Sequence, residues 1–258
     1  MNNDVAVIVP IYNAELSDNE KKNFINNLSV LNDRQFIIIK PLSLKLDLNN
    51  FIPHSNSQNR IEVSEFDDNF FASVNGYNRL LLSKMFYHRF KQYKYILICQ
   101  LDAFLFKNEL QIWIDKGFDY VGAPWTKEEE STFLKMTRSG KIGPLLKTGA
   151  SLNRIITRKK DYRIGNGGLS LRSVKKSLTV LGTLGAYARK WKENEDIFWA
   201  VLAPQLLYFF KIPNMQDALG FAFEKEPAEL YKLNNDQLPF GCHAYEKYDM
   251  EFWSKFIS

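Results

Sequence analysis

Cysteine and histidine are scarce in this chain, with two and three copies in 258 residues. Cys99 and Cys242 stand far apart and outside any metal-ligand spacing, which argues against a disulfide framework and a thiolate metal knot. Cys99 lies in an apolar run and reads as a small core residue. Long apolar runs are missing as well. The stretch from Val5 to Ile11 is too short for a signal peptide or a membrane span, and Met1-Asn2-Asn3-Asp4 supplies no basic n-region. The expected location is therefore cytoplasmic. Internal repeats, low-complexity tracts and domain linkers are also lacking, so a single domain over residues 1–258 is expected.

What is present suits a globular protein. Hydrophobic residues at 45% and charged residues at 24% allow a real core. Aromatics reach 14%, and most must fill that core, although such rings also serve as stacking platforms in carbohydrate sites. A net charge of +5 suits phosphate-bearing ligands or an anionic membrane face. The cations do not form the concentrated stripe of a nucleic-acid binder, so no nucleic-acid partner is expected. Richness in Asn, Lys and Ile fits an AT-rich bacterial genome.

Val5-Ala-Val-Ile-Val-Pro-Ile-Tyr-Asn13 is a β-branched run of the kind found at the centre of a parallel sheet. A helical stretch near Lys21–Leu31, a strand at Gln35–Ile39 and a shorter strand at Arg60–Val63 follow. Helical spacing from Val74 to Phe90 predicts one helix. Tyr95–Leu101 is the next buried strand, with Asp102 at its carboxyl end. Asn108–Lys116 reads as a short helix stopped by Gly117, and Asp119–Gly122 as a strand. Alternating strands and helices imply an α/β fold with an open, mostly parallel, doubly wound sheet. From 126 to 163 the periodicity fails amid interspersed glycines and cations, among them Arg154, Arg158, Lys159 and Lys160. A loop of that length inside a compact domain is usually functional or mobile. A strand at Leu169–Leu171, a helix from about Ser173 and an apolar helix opened by Glu195–Leu202 complete the pattern.

Asp102 is the first chemical anchor. A carboxylate at the edge of a central parallel strand lies in the crevice where open α/β sheets bind ligands, and it can hold Mg²⁺ or Mn²⁺ against a diphosphate. Many strands also end in Asp for turn reasons alone. Gly165-Asn-Gly-Gly168 lacks the Rossmann spacing and the P-loop lysine, yet its glycines let backbone approach a ligand, with Asn166 offering its amide. The bland alternative is a tight turn before a strand. Glu195-Asp196 is either an acidic pair complementing a helix N-terminus or a source of a general base.

Taken in order, Val9-Pro-Ile-Tyr-Asn13, Tyr77-Asn-Arg-Leu-Leu-Leu82, Tyr95–Phe106, Gly122-Ala-Pro-Trp125, Gly165-Asn-Gly-Gly168 and Glu195-Asp196 resemble the GT-A glycosyltransferases, and in particular a bacterial family of that fold. The likeness runs from Val5 to about His243. It implies donor-binding roles for Pro10, Tyr12, Asn13, Arg79, Asp102, Asn166, Gly167 and Gly168. It implies a catalytic base at Asp196, with Glu195 as its close substitute. The sequence departs from the family's Asp-x-Asp at the second acid, which is Phe104. Either Asp102 binds a divalent metal (Mn or Mg) with help from a late histidine, His243, or no metal is used; His243 could equally be bonded in a C-terminal turn. Trp125 is expected to stack on an acceptor sugar or to plug the sheet edge. Lys84, His54 and His88 read as solvated or structural.

The resemblance implies transfer of a sugar from a nucleoside diphosphate sugar to a saccharide or glycolipid acceptor, with inversion, in bacterial surface polysaccharide or lipopolysaccharide synthesis. Residues 1–125 would bind the nucleotide sugar and residues 126–258 the acceptor. The basic loop at 126–163, including Arg158 and Lys159, would face an anionic glycan or a lipid carrier at the inner face of the cell membrane. Two alternatives are a sugar nucleotidyltransferase and a non-catalytic module for anionic surfaces or nucleic acid. The first is disfavoured because Pro10-Ile-Tyr-Asn13 replaces its Gly-rich basic loop. The second would show salt-dependent affinity for heparin or DNA without sugar-nucleotide hydrolysis.

Overall fold

The computed structural model describes residues 4–50, 60–125 and 164–257. The basic stretch with Arg158 and Lys159 lies outside the described residues, as does His54. In chain order the strands are β1 (Val5–Pro10), β2 (Gln35–Pro41), β3 (Ile61–Phe66), β4 (Tyr95–Cys99), β5 (Ala103–Leu105), β6 (Tyr120–Val121), β7 (Ala123–Pro124), β8 (Ile164–Gly165), β9 (Leu169–Ser173), β10 (Ala222–Phe223) and β11 (Gly241–His243). Six of them form the central sheet in the order β3-β2-β1-β4-β9-β6. The first three neighbouring pairs are parallel, while β9 runs antiparallel to both β4 and β6.

The period-2 alternation of β1 sorts its side chains onto the two faces. Val5, Val7 and Val9 join Phe36, Ile38 and Leu97 beneath Phe24 and Leu28 of helix Asp18–Val30. Ala6 and Ile8 join Ile37, Ile96 and Ile98 beneath Leu80, Phe86, Val180 and Trp199. Both faces are thus covered, as the continuous apolar runs of β1 and β4 require. Each Val, Ile, Leu or Phe among them contributes roughly 1.5–3 kcal/mol on burial.

Helix Asp18–Val30 opens with a capping box. The Ser17 hydroxyl accepts the Glu20 N–H, and Glu20 accepts the Ser17 N–H at 2.7 Å. Its buried face carries two asparagines that reach across to the segment after β4. Asn23 donates to the Leu101 carbonyl at 3.0 Å and Asn27 to the Ala103 carbonyl at 2.8 Å, while Asn27 accepts the Leu105 N–H at 2.9 Å. The turn bearing Asp102 is therefore anchored on both sides.

The helix expected from Val74 to Phe90 is two helices, Val74–Leu81 and Lys84–Arg89. Ser83 interrupts it. Its hydroxyl accepts the Phe86 N–H and caps a new start, an option that serine takes readily. The helix opened by Glu195 passes from an α turn, Glu195–Ile197, through a π segment, Phe198–Leu202, into a last α turn, Ala203–Leu206. π segments of this kind recur at functional sites. Among the described residues no helix is long and apolar enough to cross a membrane.

Candidate functional site

The chain steps from β1 to β2 to β3, then returns to place β4 on the other side of β1. That reversal opens a crevice beyond the carboxyl ends of β1 and β4. A cavity of about 630 Å³ lies there, lined by Pro10 at the end of β1, Tyr12 beyond it, and Gln100 and Asp102 after β4. A three-stranded sheet, β10-β11-β5, closes its front. In that sheet β11 pairs antiparallel with β5, so that His243 stands opposite Ala103, next to Asp102.

His243 sits between two carboxylates. Its Nε2 is 3.1 Å from Asp102 Oδ1, and its Nδ1 is 3.1 Å from Glu224 Oε1. Nε2 also lies 3.2 Å from Gln100 Oε1. Burial opposes the charge on His243, but the bonds to Asp102 and Glu224 outweigh it and push its pKa up to about 9. For Asp102 burial acts to raise the pKa, and the His243 bond and charge, aided by Lys247, hold it below the ordinary value. Gly168 makes room for this arrangement, since a Cβ there would collide with the His243 ring.

The rear wall is the segment before β9 and the start of the 195 helix. Asn166 has φ +89°, a conformation costly for a residue with a side chain. Four bonds hold it. Its Oδ1 accepts the N–H groups of Gly168 and Leu169 at 2.7 and 3.2 Å, its carbonyl accepts the Tyr120 hydroxyl, and its own N–H donates to Asp196 Oδ2 at 3.0 Å. Asn166 Nδ2 is buried with no partner among the described residues, a donor left for something else.

Glu195 and Asp196 have different fates. Glu195 is buried and clamped by Arg172, with Nη1 and Nη2 at 2.7 and 2.8 Å. Arg172 is itself buried and further bonded to Ser170 and Tyr87. Among the described residues no cation pairs with Asp196. Burial first, and the charge of Glu195 second, push its pKa up to about 7 against the bonds from Asn166 and Ile197. A carboxyl poised near neutrality can take or give a proton at working pH.

Of the residues singled out from sequence, Pro10, Tyr12, Asp102, Asn166, Gly167, Gly168, Glu195, Asp196 and His243 all line this one cavity. Asn13 and Arg79 are exposed and stand outside that lining. Trp125 is buried in the core against Gly165, where a Cβ would strike the indole, and it too lies outside the lining. The cavity draws on both proposed halves of the chain. Gln100, Glu224 and Lys247 also line it and were missed from sequence. Glu224 and Lys247 are ordinary surface residue types whose position depends on the small sheet. Gln100 carried one readable signal, its place two residues before Asp102.

The profile of a family described as "Protein of unknown function (DUF5672)" matches residues 60–243. No curated protein matches the chain. Among solved structures, mouse xyloside xylosyltransferase 1 is similar over 96% of this chain and 99% of its own, at 12% identity and a TM-score of 0.53. An active-site mutant of LgtC is similar over 92% and 86%, at 14% identity and a TM-score of 0.51. The bifunctional glycosyltransferase WbbM matches 95% of this chain at 13% identity and a TM-score of 0.53, though the match spans only 46% of WbbM. The shared feature is the GT-A glycosyltransferase fold, a mixed, mostly parallel sheet flanked by helices.

Proposed function

On the premise that this chain belongs to the DUF5672 family, we propose that it is a glycosyltransferase that moves a sugar from a nucleoside diphosphate sugar to a hydroxyl of a saccharide or glycolipid acceptor. What supports this reading is one cavity at the sheet's switch point, with His243 between Asp102 and Glu224 on one side and a buried carboxyl, Asp196, its pKa pushed up to about 7, on the other.

In this reading Tyr12, largely exposed at the cavity mouth, stacks on the nucleotide base, and Pro10 shapes the same wall. Asp102 and His243 suit a divalent cation. Their facing atoms are 3.1 Å apart, and adjacent ligands of an octahedral ion with bonds of about 2.1 Å lie roughly 3 Å apart. Such an ion, when bound, would neutralise charge on the leaving diphosphate. Lys247, at the same wall, adds a second positive charge on that side. The unpartnered Asn166 amide would donate to a sugar hydroxyl, and Gly167 and Gly168 let the donor approach the backbone. Asp196 would take the acceptor hydroxyl's proton as that oxygen attacks the anomeric carbon. Direct attack of this kind inverts the anomeric centre. Glu195, held by Arg172, would remain a structural anion beside it. The basic stretch 126–163, with Arg158 and Lys159, is proposed to face an anionic glycan or lipid-borne acceptor, at the inner membrane face in a bacterial cell making surface polysaccharide.

The test is a panel of sugar nucleotides screened for thermal stabilisation, with and without Mn²⁺. Binding at a hundredfold excess over Kd adds about 2.7 kcal/mol of apparent stability, which a melting curve detects. One nucleotide class should stabilise the protein and release its nucleoside diphosphate on adding acceptor. No stabilisation by any sugar nucleotide, together with salt-dependent binding to heparin, would favour a non-catalytic module.

A further inference from the structure

Phe104 stands where the second acid of Asp-x-Asp would lie, and its ring is committed elsewhere. It packs 5.3 Å from Phe106 and 6.3 Å from Tyr245 in a separate apolar cluster. Among the described residues no three His, Cys, Asp or Glu side chains converge as a metal cage. A cation held at Asp102 and His243 therefore needs a further protein ligand of another type, or it keeps water and substrate oxygens there.

We propose that Gln100 is that ligand and that Glu224 is the positioning residue that aims His243 at the ion; the inference rests on the glycosyltransferase reading above. Gln100 Oε1 and Asp102 Oδ1 lie 3.2 and 3.1 Å from His243 Nε2. Both separations match adjacent ligands on one octahedral ion, which come roughly 3 Å apart for bonds of about 2.1 Å. Amide oxygens are accepted by hard divalent cations alongside carboxylates. The backbone of Gln100 is fixed on both sides. Its N–H donates to the Gly168 carbonyl at 2.8 Å, and its carbonyl accepts the Ala103 N–H at 3.0 Å. The side chain thus leaves a turn held by backbone bonds on both sides, two residues before Asp102.

Glu224 acts from the other side of the ring. Strands β10 and β11 are parallel, with Phe223 opposite Cys242, so Glu224, just past β10, comes beside His243 of β11. Nδ1–H donates to Glu224, and Nε2 becomes the nitrogen that faces the ion. A carboxylate behind a metal-binding imidazole fixes the ring's tautomer and orientation and strengthens its bond to the metal. The result is a Gln-x-Asp plus His set with a carboxylate behind the histidine, chemically suited to Mn²⁺ or Mg²⁺ carrying a diphosphate.

The experiment is direct titration of Mn²⁺ into the full chain without nucleotide, followed by calorimetry or the electron paramagnetic resonance signal of free Mn²⁺. Circular dichroism checks each variant's fold. Glu224→Gln should weaken Mn²⁺ binding by about 10–100-fold, the usual cost of losing a carboxylate behind a metal-binding histidine. Gln100→Ala should weaken it severalfold, and Gln100→Glu should restore or exceed the parent affinity. Gln100→Glu is nearly isosteric, so it remains informative if the alanine variant fails to fold. Parent binding that survives unchanged in folded Gln100→Ala and Glu224→Gln overturns the inference and leaves the transferase reading intact. Absence of Mn²⁺ binding by the parent, with metal-independent stabilisation by a sugar nucleotide, also overturns it while sparing that reading. Failure of the reading itself appears separately, as no response to any sugar nucleotide.

Discussion

The front and rear walls of the cavity treat buried charge in opposite ways. At the rear, Glu195 is matched by a buried arginine through two short bonds, while its neighbour Asp196 pairs with no cation among the described residues and its pKa rises to about 7. At the front, one imidazole is shared by two carboxylates, which favours positive charge at that point. In the proposed reading the rear wall exchanges a proton and the front wall seats a cation. Adjacent acids in sequence thus receive different chemistry from the partners that the fold brings to each.

Substitutions can break this contrast. The largest effect is expected at the front: Asp102→Asn should bring transfer below detection while leaving the circular dichroism spectrum unchanged, since an amide cannot replace an anionic ligand. Near-normal turnover by the folded variant would remove Asp102 from the site. At the rear, Asp196→Asn should lower kcat by about 10²–10⁴-fold with donor affinity preserved, as expected for loss of a general base. In the parent the rate should rise with pH through about 7 as Asp196 loses its proton, and the variant should lack that limb. If Glu195→Gln is instead the variant that loses turnover while remaining as stable as the parent, the roles within the pair are reversed.

Arg172→Met addresses the structural half of the rear wall. Removing one partner of a buried pair leaves an uncompensated charge, so a loss of about 3–5 kcal/mol in urea unfolding is expected. The double variant Arg172→Met with Glu195→Leu should recover much of that loss, and failure to recover would mean that Arg172 acts chiefly through Ser170 and Tyr87. Tyr12→Ala should weaken nucleotide binding by about 1–3 kcal/mol if the ring stacks on a base. An unchanged Kd would move the base to another wall.

The smallest effect concerns stability against pH. Asp196 has a folded pKa raised above its ordinary value, so between about pH 4 and 7 the folded state holds more proton than the unfolded one. Its contribution to stability therefore falls as pH rises through that window. Asp196→Asn should flatten the fall, measured as Tm across pH 5–8, and an unaltered profile would show that the carboxyl is already ionised there.

The central strands were legible because their runs of Val and Ile are buried on both faces, which leaves no other reading for Val5–Val9 or Tyr95–Cys99. Asp102 was legible for the same reason, as the first acid after such a run. The break at Ser83 was not, because Leu80, Leu81 and Leu82 continue the apolar face across it and the cap bond is made only once the second helix forms. The antiparallel direction of β9 was hidden too, since a short strand's own residues do not encode its neighbour's direction. Trp125 resembled a sugar platform only while its packing against Gly165 was unknown. Gln100 and Glu224 escaped because their meaning comes from His243, which lies 143 residues from one and 19 from the other and meets them through the small sheet.

The most direct measurement is a crystal structure of the full chain with Mn²⁺ and the sugar nucleotide that stabilises it best. The account predicts the diphosphate at the front wall, on an ion bound by Asp102 and His243, with the sugar lying between Asn166 and Asp196. A nucleotide bound elsewhere, or seated here with its sugar turned away from Asp196, would contradict it.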